Sequence, residues 1–160
     1  MPSLTLLRHA QAAPMGAATN RTDAARPLTA AGRAEAAAVA RRMAIAFPAR
    51  PRLITSPATR TQETARIIAA AWQPPLPIST AADIYEATVG TLLQLVQAQR
   101  DDVQHLVLCG HNPGISGLAR YLSTESAPLA DLAPCGFMTL MFDVTRWRDV
   151  ARARGIAAAR

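Results

Sequence analysis

Lysine is absent from this sequence, and all 17 basic residues are arginines. Against 11 acidic residues they give a formal net charge of +6 at pH 7. An arginine excess is typical of proteins that bind nucleic acid, anionic lipid or phosphate-bearing substrates, because the guanidinium fork matches phosphate oxygens. It also arises from codon bias in a chain that contains 35 alanines. Charge alone therefore leaves the ligand undecided.

Cysteines and long apolar runs are also scarce. The two cysteines, Cys109 and Cys135, have no metal-ligand spacing and do not suggest a disulfide framework, which predicts buried thiols in a reducing compartment. No apolar run reaches the roughly 18 residues of a membrane span, and Arg8-His9 interrupts the early apolar run. We expect a cytoplasmic protein with no membrane partner, no bound metal and no cofactor.

Aromatic residues make up only 4% of the chain, which predicts an aliphatic core with helix-rich outer layers. A length of 160 residues fits one domain spanning residues 1–160. Its arginine-rich end, from about residue 145, is expected to form a short helix or to fray.

Short apolar segments alternate with helical segments along the chain. Strands are predicted at Leu4–Leu7, Arg52–Thr55, His105–Gly110 and Phe137–Val144, with a brief one at 76–79. Helices are predicted after the caps Thr29 and Ser56, in "TVGTLLQLVQAQ" and after Asn112, the first of them stopping before Pro48 and the second near Trp72. The connection from Ala10 to Leu28, with Pro14, Gly16, Asn20 and Pro27, is irregular and of a length typical of functional loops. This alternation predicts a three-layer α/β/α fold with a mostly parallel central sheet and helices on both faces.

Unusual residues stand where three of the predicted strands end. The first strand runs into Arg8 and His9, and the helix after the second strand carries Arg60 in its first turn. The third strand leads into His111 and Asn112. Ligands of such sheets bind outside the carboxyl ends of the strands, so we expect these residues to meet at one edge.

Two arginines and two histidines at one edge suit a phosphoryl group. Each guanidinium fork donates to phosphate oxygens, and two helix N-termini add the positive ends of their dipoles. A neutral imidazole is a nucleophile that can form a covalent intermediate, and nearby arginines keep its pKa from rising. We therefore expect His9 to attack phosphorus, Arg8 and Arg60 to hold phosphoryl oxygens, and His111 to hold another as a cation.

Four further segments accompany "LLRHAQA" in a fixed order. They are "RPLTAAG" (26–32), "TSPATRTQETA" (55–65), "IYEATVGTLL" (84–93) and "LVLCGHNPGIS" (106–116). Over roughly residues 3 to 120 this set resembles the histidine phosphatase superfamily, in its short SixA-like branch of phosphohistidine phosphatases. Ala10 stands where the commonest form of the signature has glycine.

The resemblance implies a phosphoglycerate mutase-like fold and assigns roles to individual residues. His9 would become phosphorylated, while Arg8, Arg60 and His111 would complete the phosphate pocket. Glu86 is the nearest candidate for the carboxylate that the family uses as a proton donor, in a segment where SixA-like proteins vary. Asn112 would either bind the phosphoryl group or turn the chain into its helix.

Several other residues have structural interpretations. We expect Ser56 to cap a helix and Arg26 to brace the long loop. Asp23 is expected to pair with a nearby arginine. His105 and Cys109 are expected to lie apart from the chemistry. The arginines near the C-terminus are expected to form a solvated face; they are Arg146, Arg148, Arg152 and Arg154.

Fifty residues separate Arg60 from His111, and two helices with a connector use nearly all of them. No room remains for a lid domain, so the predicted site is open and suits a phosphoryl group on a protein surface. We expect a metal-independent phosphohistidine phosphatase whose partner is a phosphohistidine-bearing signalling protein. The alternatives are a phosphatase of phosphorylated small molecules or sugars and, less favoured, a non-catalytic binder of phosphorylated protein or RNA. Nucleic acid is the less expected partner, because binding alone needs no nucleophile.

Overall fold

A computed structural model describes residues 1–16, 22–47, 49–125 and 129–159. Its strands are β1 Ser3–Arg8, β2 Arg52–Thr55, β3 Ile78–Thr80, β4 His105–Gly110, β5 Phe137–Phe142 and β6 Gly155–Ala159. Its helices are α1 Ala30–Ala46, α2 Thr59–Ala69, α3 Val89–Gln97 and α4 Gly114–Leu122. Short 3₁₀ turns lie at Asp23–Ala25, Ala82–Ile84 and Trp147–Asp149. Two residues of the sequence predictions, Asn20 and Pro48, lie outside the described ranges.

The six strands form one sheet in the order β3-β2-β4-β1-β5-β6. Strands β1 to β4 pair in parallel, while β5 and β6 are antiparallel additions at one side. Helices α1 and α2 pack on one face over Leu53 and Val107, and α3 and α4 pack on the other over Leu6 and Leu108. The predicted three-layer fold is therefore confirmed.

Local signals explain where α1 begins. The Thr29 hydroxyl accepts a hydrogen bond of 2.9 Å from the Gly32 N–H, as expected of an N-cap. The helix ends at Ala46, near the predicted position.

Other boundaries differ from the sequence predictions. Helix α2 ends at Ala69, short of Trp72, and begins at Thr59 with Ala58, not Ser56, in its N-cap position. The C-terminal tail contains a short 3₁₀ helix at Trp147–Asp149, as one of the two expectations allowed, but its end forms strand β6, which pairs with β5 and was not predicted. Small residues in "GIAAA" carry no strand signal, and pairing with β5 decides the conformation.

Candidate active site

The carboxyl ends of β1, β2 and β4 place the predicted residues at one edge of the sheet. The His9 N–H donates 3.1 Å to the Gly110 carbonyl, and the Ser56 N–H donates 3.2 Å to the Cys109 carbonyl. His9 and Ser56 thus flank the end of β4, from which His111 follows directly. The imidazole ring centres of His9 and His111 are 5.4 Å apart.

A backbone carbonyl sets the tautomer of His9. Nδ1 of its ring lies 2.7 Å from the Ala10 carbonyl oxygen. Because a carbonyl oxygen can only accept, Nδ1 carries the ring proton and Nε2 keeps an unprotonated lone pair. Burial lowers the pKa of His9 to about 4, and the guanidiniums of Arg60, Arg8 and Arg26 act in the same direction, against the Ala10 hydrogen bond. His9 is therefore a neutral imidazole with a free Nε2 near pH 7.

Arg60 lies buried in the first turn of α2, and one residue occupies the end of its fork. Nη1 donates 2.7 Å to the Asp23 carbonyl, and Nη2 donates 2.9 Å to the Asp23 carboxylate. Nη2 also lies 3.2 Å from Nδ1 of His111. Because a guanidinium has no acceptor, Nδ1 of His111 is the acceptor in that contact.

His111 is consequently neutral, and the prediction that it is a cation is wrong for this arrangement. Burial lowers its pKa to about 3, and Arg60 and His9 add to the effect while Asp23 opposes it. A proton on Nδ1 would have to displace the Arg60 hydrogen bond. The other ring nitrogen, Nε2, lies 2.8 Å from the Ser56 hydroxyl and donates to it in this tautomer. Ser56 therefore contacts the site, and its hydroxyl also accepts 3.3 Å from the Ala58 N–H just before α2.

Arg8 and Asn112 share an acceptor across the site. Arg8 Nη1 donates 2.9 Å and Asn112 Nδ2 donates 3.0 Å to the Leu132 carbonyl. The Asn112 oxygen accepts 2.6 Å from the Ser116 hydroxyl in the first turn of α4. Since both ends of its amide are engaged by protein groups, the structure favours a chain-turning role for Asn112 over phosphate binding.

Two buried donors remain unpaired in this arrangement. Within the described ranges, Nε of Arg8 and Nε of Arg60 have no hydrogen-bond partner. An unpaired buried donor costs about 1–3 kcal/mol, which an anionic ligand between the two guanidiniums would recover.

Asp23 is the residue of the site that the sequence interpretation underestimated. Its carboxylate accepts 2.9 Å from Arg26, 2.9 Å from Arg60 and 2.8 Å from the Tyr85 hydroxyl. These three hydrogen bonds hold the pKa of Asp23 well below its usual range, and Asp23 in turn raises the pKa of Tyr85. Pairing with a nearby arginine was predicted, and the i, i+3 spacing to Arg26 was the available signal. Arg26 also braces the loop as predicted, since its Nε donates 2.8 Å to the Ala13 carbonyl.

Glu86 follows Tyr85 but does not share its contacts. Its side chain is exposed, its backbone is left-handed with φ 51°, and among the described residues it makes no hydrogen bond or ion pair with the site. His105 lies at the opposite edge of the sheet, beside a groove of about 700 Å³, with Nε2 2.8 Å from the Thr5 hydroxyl. Cys109 is fully buried, and burial raises its thiol pKa to about 12.

A neutral imidazole with a free nitrogen, beside two guanidiniums at the end of a parallel sheet, is typical of enzymes that transfer phosphoryl groups through histidine. Residues 4–140 match the model of the histidine phosphatase superfamily (branch 1), and the chain belongs to that family of phosphatases. No protein of curated function matches the sequence significantly.

Solved structures agree with this membership. A protein named as phosphohistidine phosphatase SixA from Agrobacterium tumefaciens is 28% identical, with a TM-score of 0.79 over 89% of this chain and 93% of its own. A second, from Nakamurella multipartitia, is 25% identical, with a TM-score of 0.77 over 99% of this chain and 94% of its own. A mycobacterial glucosyl-3-phosphoglycerate phosphatase is 14% identical, covers 100% and 99% of the two chains and shares the fold, with a TM-score of 0.70. Among the described residues no helix is long and apolar enough to cross a membrane.

Proposed function

We propose that the protein is a phosphohistidine phosphatase that acts through a phosphorylated His9. The observation that carries this proposal is the hydrogen bond from His9 Nδ1 to the Ala10 carbonyl, which leaves Nε2 free, neutral and beside Arg60. Nε2 attacks phosphorus in line, so the new P–N bond forms as the bond to the leaving group breaks. Water then attacks the phosphorus of phosphorylated His9, so a P–O bond forms as the P–N bond breaks; His9 returns to its neutral form, and the protons of the water leave with inorganic phosphate.

The charges of the site match a phosphoryl dianion. Arg8, Arg26 and Arg60 contribute three positive charges, and Asp23 contributes one negative charge. Both imidazoles are neutral, because burial and the guanidiniums lower their pKa values to about 4 for His9 and about 3 for His111. The residual charge of two positives balances the dianion and the charge that develops during transfer.

The acidic side chains near the site favour a leaving group that needs no proton from the protein. Asp23 is an anion, and Glu86 is exposed and makes no hydrogen bond or ion pair with the described site residues. A phosphorylated imidazole leaves as neutral imidazole when its other ring nitrogen carries a proton, and such a nitrogen has a pKa near 6.5, so the substrate brings the proton itself. An alkyl phosphate must instead receive one from the enzyme.

The accessibility of the edge supports a phosphoryl group presented by a protein. Residues 61–110 are all described, and they form α2, β3, a 3₁₀ turn, α3 and β4 without an inserted element over the site. The two SixA structures that are 28% and 25% identical are named for activity on phosphohistidine. A phosphohistidine-bearing signalling protein is therefore the proposed partner.

A second candidate is a phosphatase of small phosphorylated molecules. The loop before α1 walls one side of the site, because Asp23 and Arg26 both reach it and Ala12 bridges to Leu28. Such a wall could contact the body of a small substrate.

A substrate panel with a nucleophile variant tests the proposal. Wild type, His9→Ala and the control His105→Gln are assayed on a phosphohistidine protein, sugar phosphates and an activated aryl phosphate. We expect turnover of the phosphohistidine and aryl substrates, a phosphoryl adduct on His9 by mass spectrometry, no activity in His9→Ala and near-normal activity in His105→Gln. Preference for sugar phosphates by a wide margin would promote the second candidate, and full activity in His9→Ala would remove the mechanism.

A further inference from the structure

Asp23 accepts hydrogen bonds from both terminal nitrogens of the Arg60 guanidinium. Its backbone carbonyl accepts from Nη1 at 2.7 Å, and its carboxylate accepts from Nη2 at 2.9 Å. Each terminal nitrogen of the guanidinium therefore has one hydrogen bond to the same residue. The second Nη2 proton faces His111 at 3.2 Å, and Nε is the buried donor without a partner in the described ranges. The Arg60 hydrogen that faces the imidazoles is therefore the second Nη2 proton.

Asp23 is itself held in place from two sides. Its other carboxylate oxygen accepts 2.9 Å from Arg26, whose Nε donates 2.8 Å to the Ala13 carbonyl. The Tyr85 hydroxyl donates 2.8 Å to the oxygen that Arg60 uses, and the Tyr85 ring packs edge-on against His111 with centres 5.4 Å apart. Both carboxylate oxygens act only as acceptors. The residue thus connects the loop before α1 to the guanidinium of α2.

We propose that Asp23 is a positioning residue for phosphoryl transfer, which clamps the two terminal nitrogens of Arg60 so that the second Nη2 proton is held on the His111 side, towards the phosphoryl group. The inference rests on the proposed function of the same site. Asp23 contributes no proton and touches no reacting atom. Its effect is on the orientation of Arg60 and on the charge that Arg60 and Arg26 would otherwise present to each other.

The chain contains a matched control for an ordinary surface ion pair. Asp149 pairs with Arg146 at 2.8 Å, and Asp23 pairs with Arg26 at 2.9 Å, and in each case the partners are three positions apart in sequence. The side chains of Asp149 and Asp23 are both 39% exposed. Replacing either aspartate by asparagine removes the same charge from a pair of the same kind, but only Asp23 also holds Arg60.

The experiment uses Asp23→Asn, Asp23→Glu, Arg60→Lys, the double variant Asp23→Asn/Arg60→Lys and the control Asp149→Asn. For each variant, kcat and KM are measured on an activated aryl phosphate, and the Kd of inorganic phosphate is measured by calorimetry. Both carboxylate oxygens of Asp23 accept from arginines, so an asparagine there must point its NH₂ group at Arg26 or Arg60, which can only donate. Asp23→Asn should therefore lower kcat/KM by roughly 10- to 100-fold and weaken phosphate binding. Asp23→Glu should recover part of the loss, and Asp149→Asn should match wild type.

Coupling to Arg60 separates positioning from a general structural effect. If Asp23 acts through Arg60, the double variant should be only slightly worse than the poorer single variant, because the second change removes what the first has already lost. Losses that multiply, or an Asp23→Asn enzyme within twofold of Asp149→Asn on both measurements, would overturn the proposal. A wild type that binds phosphate but hydrolyses nothing would remove the proposed function, and the phosphate Kd of Asp23→Asn would still decide the role of Asp23. A wild type that binds no phosphate would overturn both.

Discussion

His9 and His111 are the same kind of side chain, and their hydrogen bonds give them different chemistry. The Ala10 carbonyl accepts a hydrogen bond from Nδ1–H of His9, which leaves the Nε2 lone pair available. In His111, Nδ1 instead accepts from Arg60, and Nε2 donates to the Ser56 hydroxyl. His9 is thereby suited to attack phosphorus. His111 is suited to accept from Arg60 at Nδ1 and to donate from Nε2.

Arg60 should tolerate neither removal nor replacement by lysine. Arg60→Ala should lower kcat/KM on an aryl phosphate by roughly 100-fold or more, by comparison with donors lost from preorganised sites. Arg60→Lys should be impaired less, because a point charge restores attraction but lacks the planar fork that donates to the Asp23 carbonyl and carboxylate from two nitrogens. Steady-state kinetics check this, with circular dichroism to confirm the fold. Wild-type kinetics in both variants would place Arg60 outside the site.

Glu86 remains the candidate acid for substrates that need one. General acids typically contribute 10²- to 10⁴-fold when the leaving group must be protonated. If Glu86 supplies that proton, Glu86→Gln should depress hydrolysis of alkyl phosphates strongly and of phosphohistidine or aryl phosphate only slightly. The quantity to measure is the ratio of the two losses, since it cancels any damage to the fold. Equal losses would indicate positioning, and no loss at all would agree with the exposed side chain in the structure.

At the scale of elements, the first turn of α1 crosses the loop that follows the nucleophile. A Cβ added to Gly32 would overlap the carbonyl of Gln11, a backbone atom that cannot move independently. The glycine in "RPLTAAG" therefore permits the close approach of α1 to the segment that carries His9. The same contact brings the Thr29 cap and the Gln11 carbonyl together, with the Thr29 N–H donating 3.0 Å to it.

Gly32→Ala should therefore lower both stability and activity. Overpacking costs about 1–3 kcal/mol, and the displaced Gln11 lies two residues from His9. The matched control is Gly90→Ala in α3, where the nearest atom to an added Cβ is the Thr88 hydroxyl at 3.8 Å. That variant should be unchanged or more stable by up to about 1 kcal/mol, because alanine is the better helix former. Urea titrations of both variants give the comparison, and equal stabilities would contradict the crossing.

At the scale of the whole molecule, all three histidines are kept neutral by the fold. Burial lowers the pKa values of His9 and His105 to about 4, and burial with Arg60 lowers that of His111 to about 3. In the unfolded chain histidine titrates near 6.5. Between these values the unfolded state binds more protons than the folded state, so acid favours unfolding.

Stability should consequently be highest above about pH 6.5 and fall as the pH decreases towards 4. Unfolding near pH 5 should take up about one proton per histidine, whereas Asp23 stays ionised in the folded state and mostly ionised in the unfolded state there. The measurement is the free energy of unfolding from urea titrations at pH 5, 6 and 7. His105→Gln should flatten the slope by about a third, because it removes one of the three groups. A pH-independent stability over this range would show that the histidines are not buried as described.

The sequence by itself determined the layered α/β fold and the positions of Arg8, His9, Arg60 and His111 at strand ends. Those follow from local patterns, because apolar strands in a parallel sheet place their following residues at a common edge. The tertiary structure alone decided which groups those residues meet. Asp23 reaches Arg60 across 37 positions of sequence, and the small residues at the end of the tail become β6 only because β5 offers them a partner. The neutral state of His111 and the contact of Ser56 likewise depend on proton donors brought from separate elements, which no local pattern records.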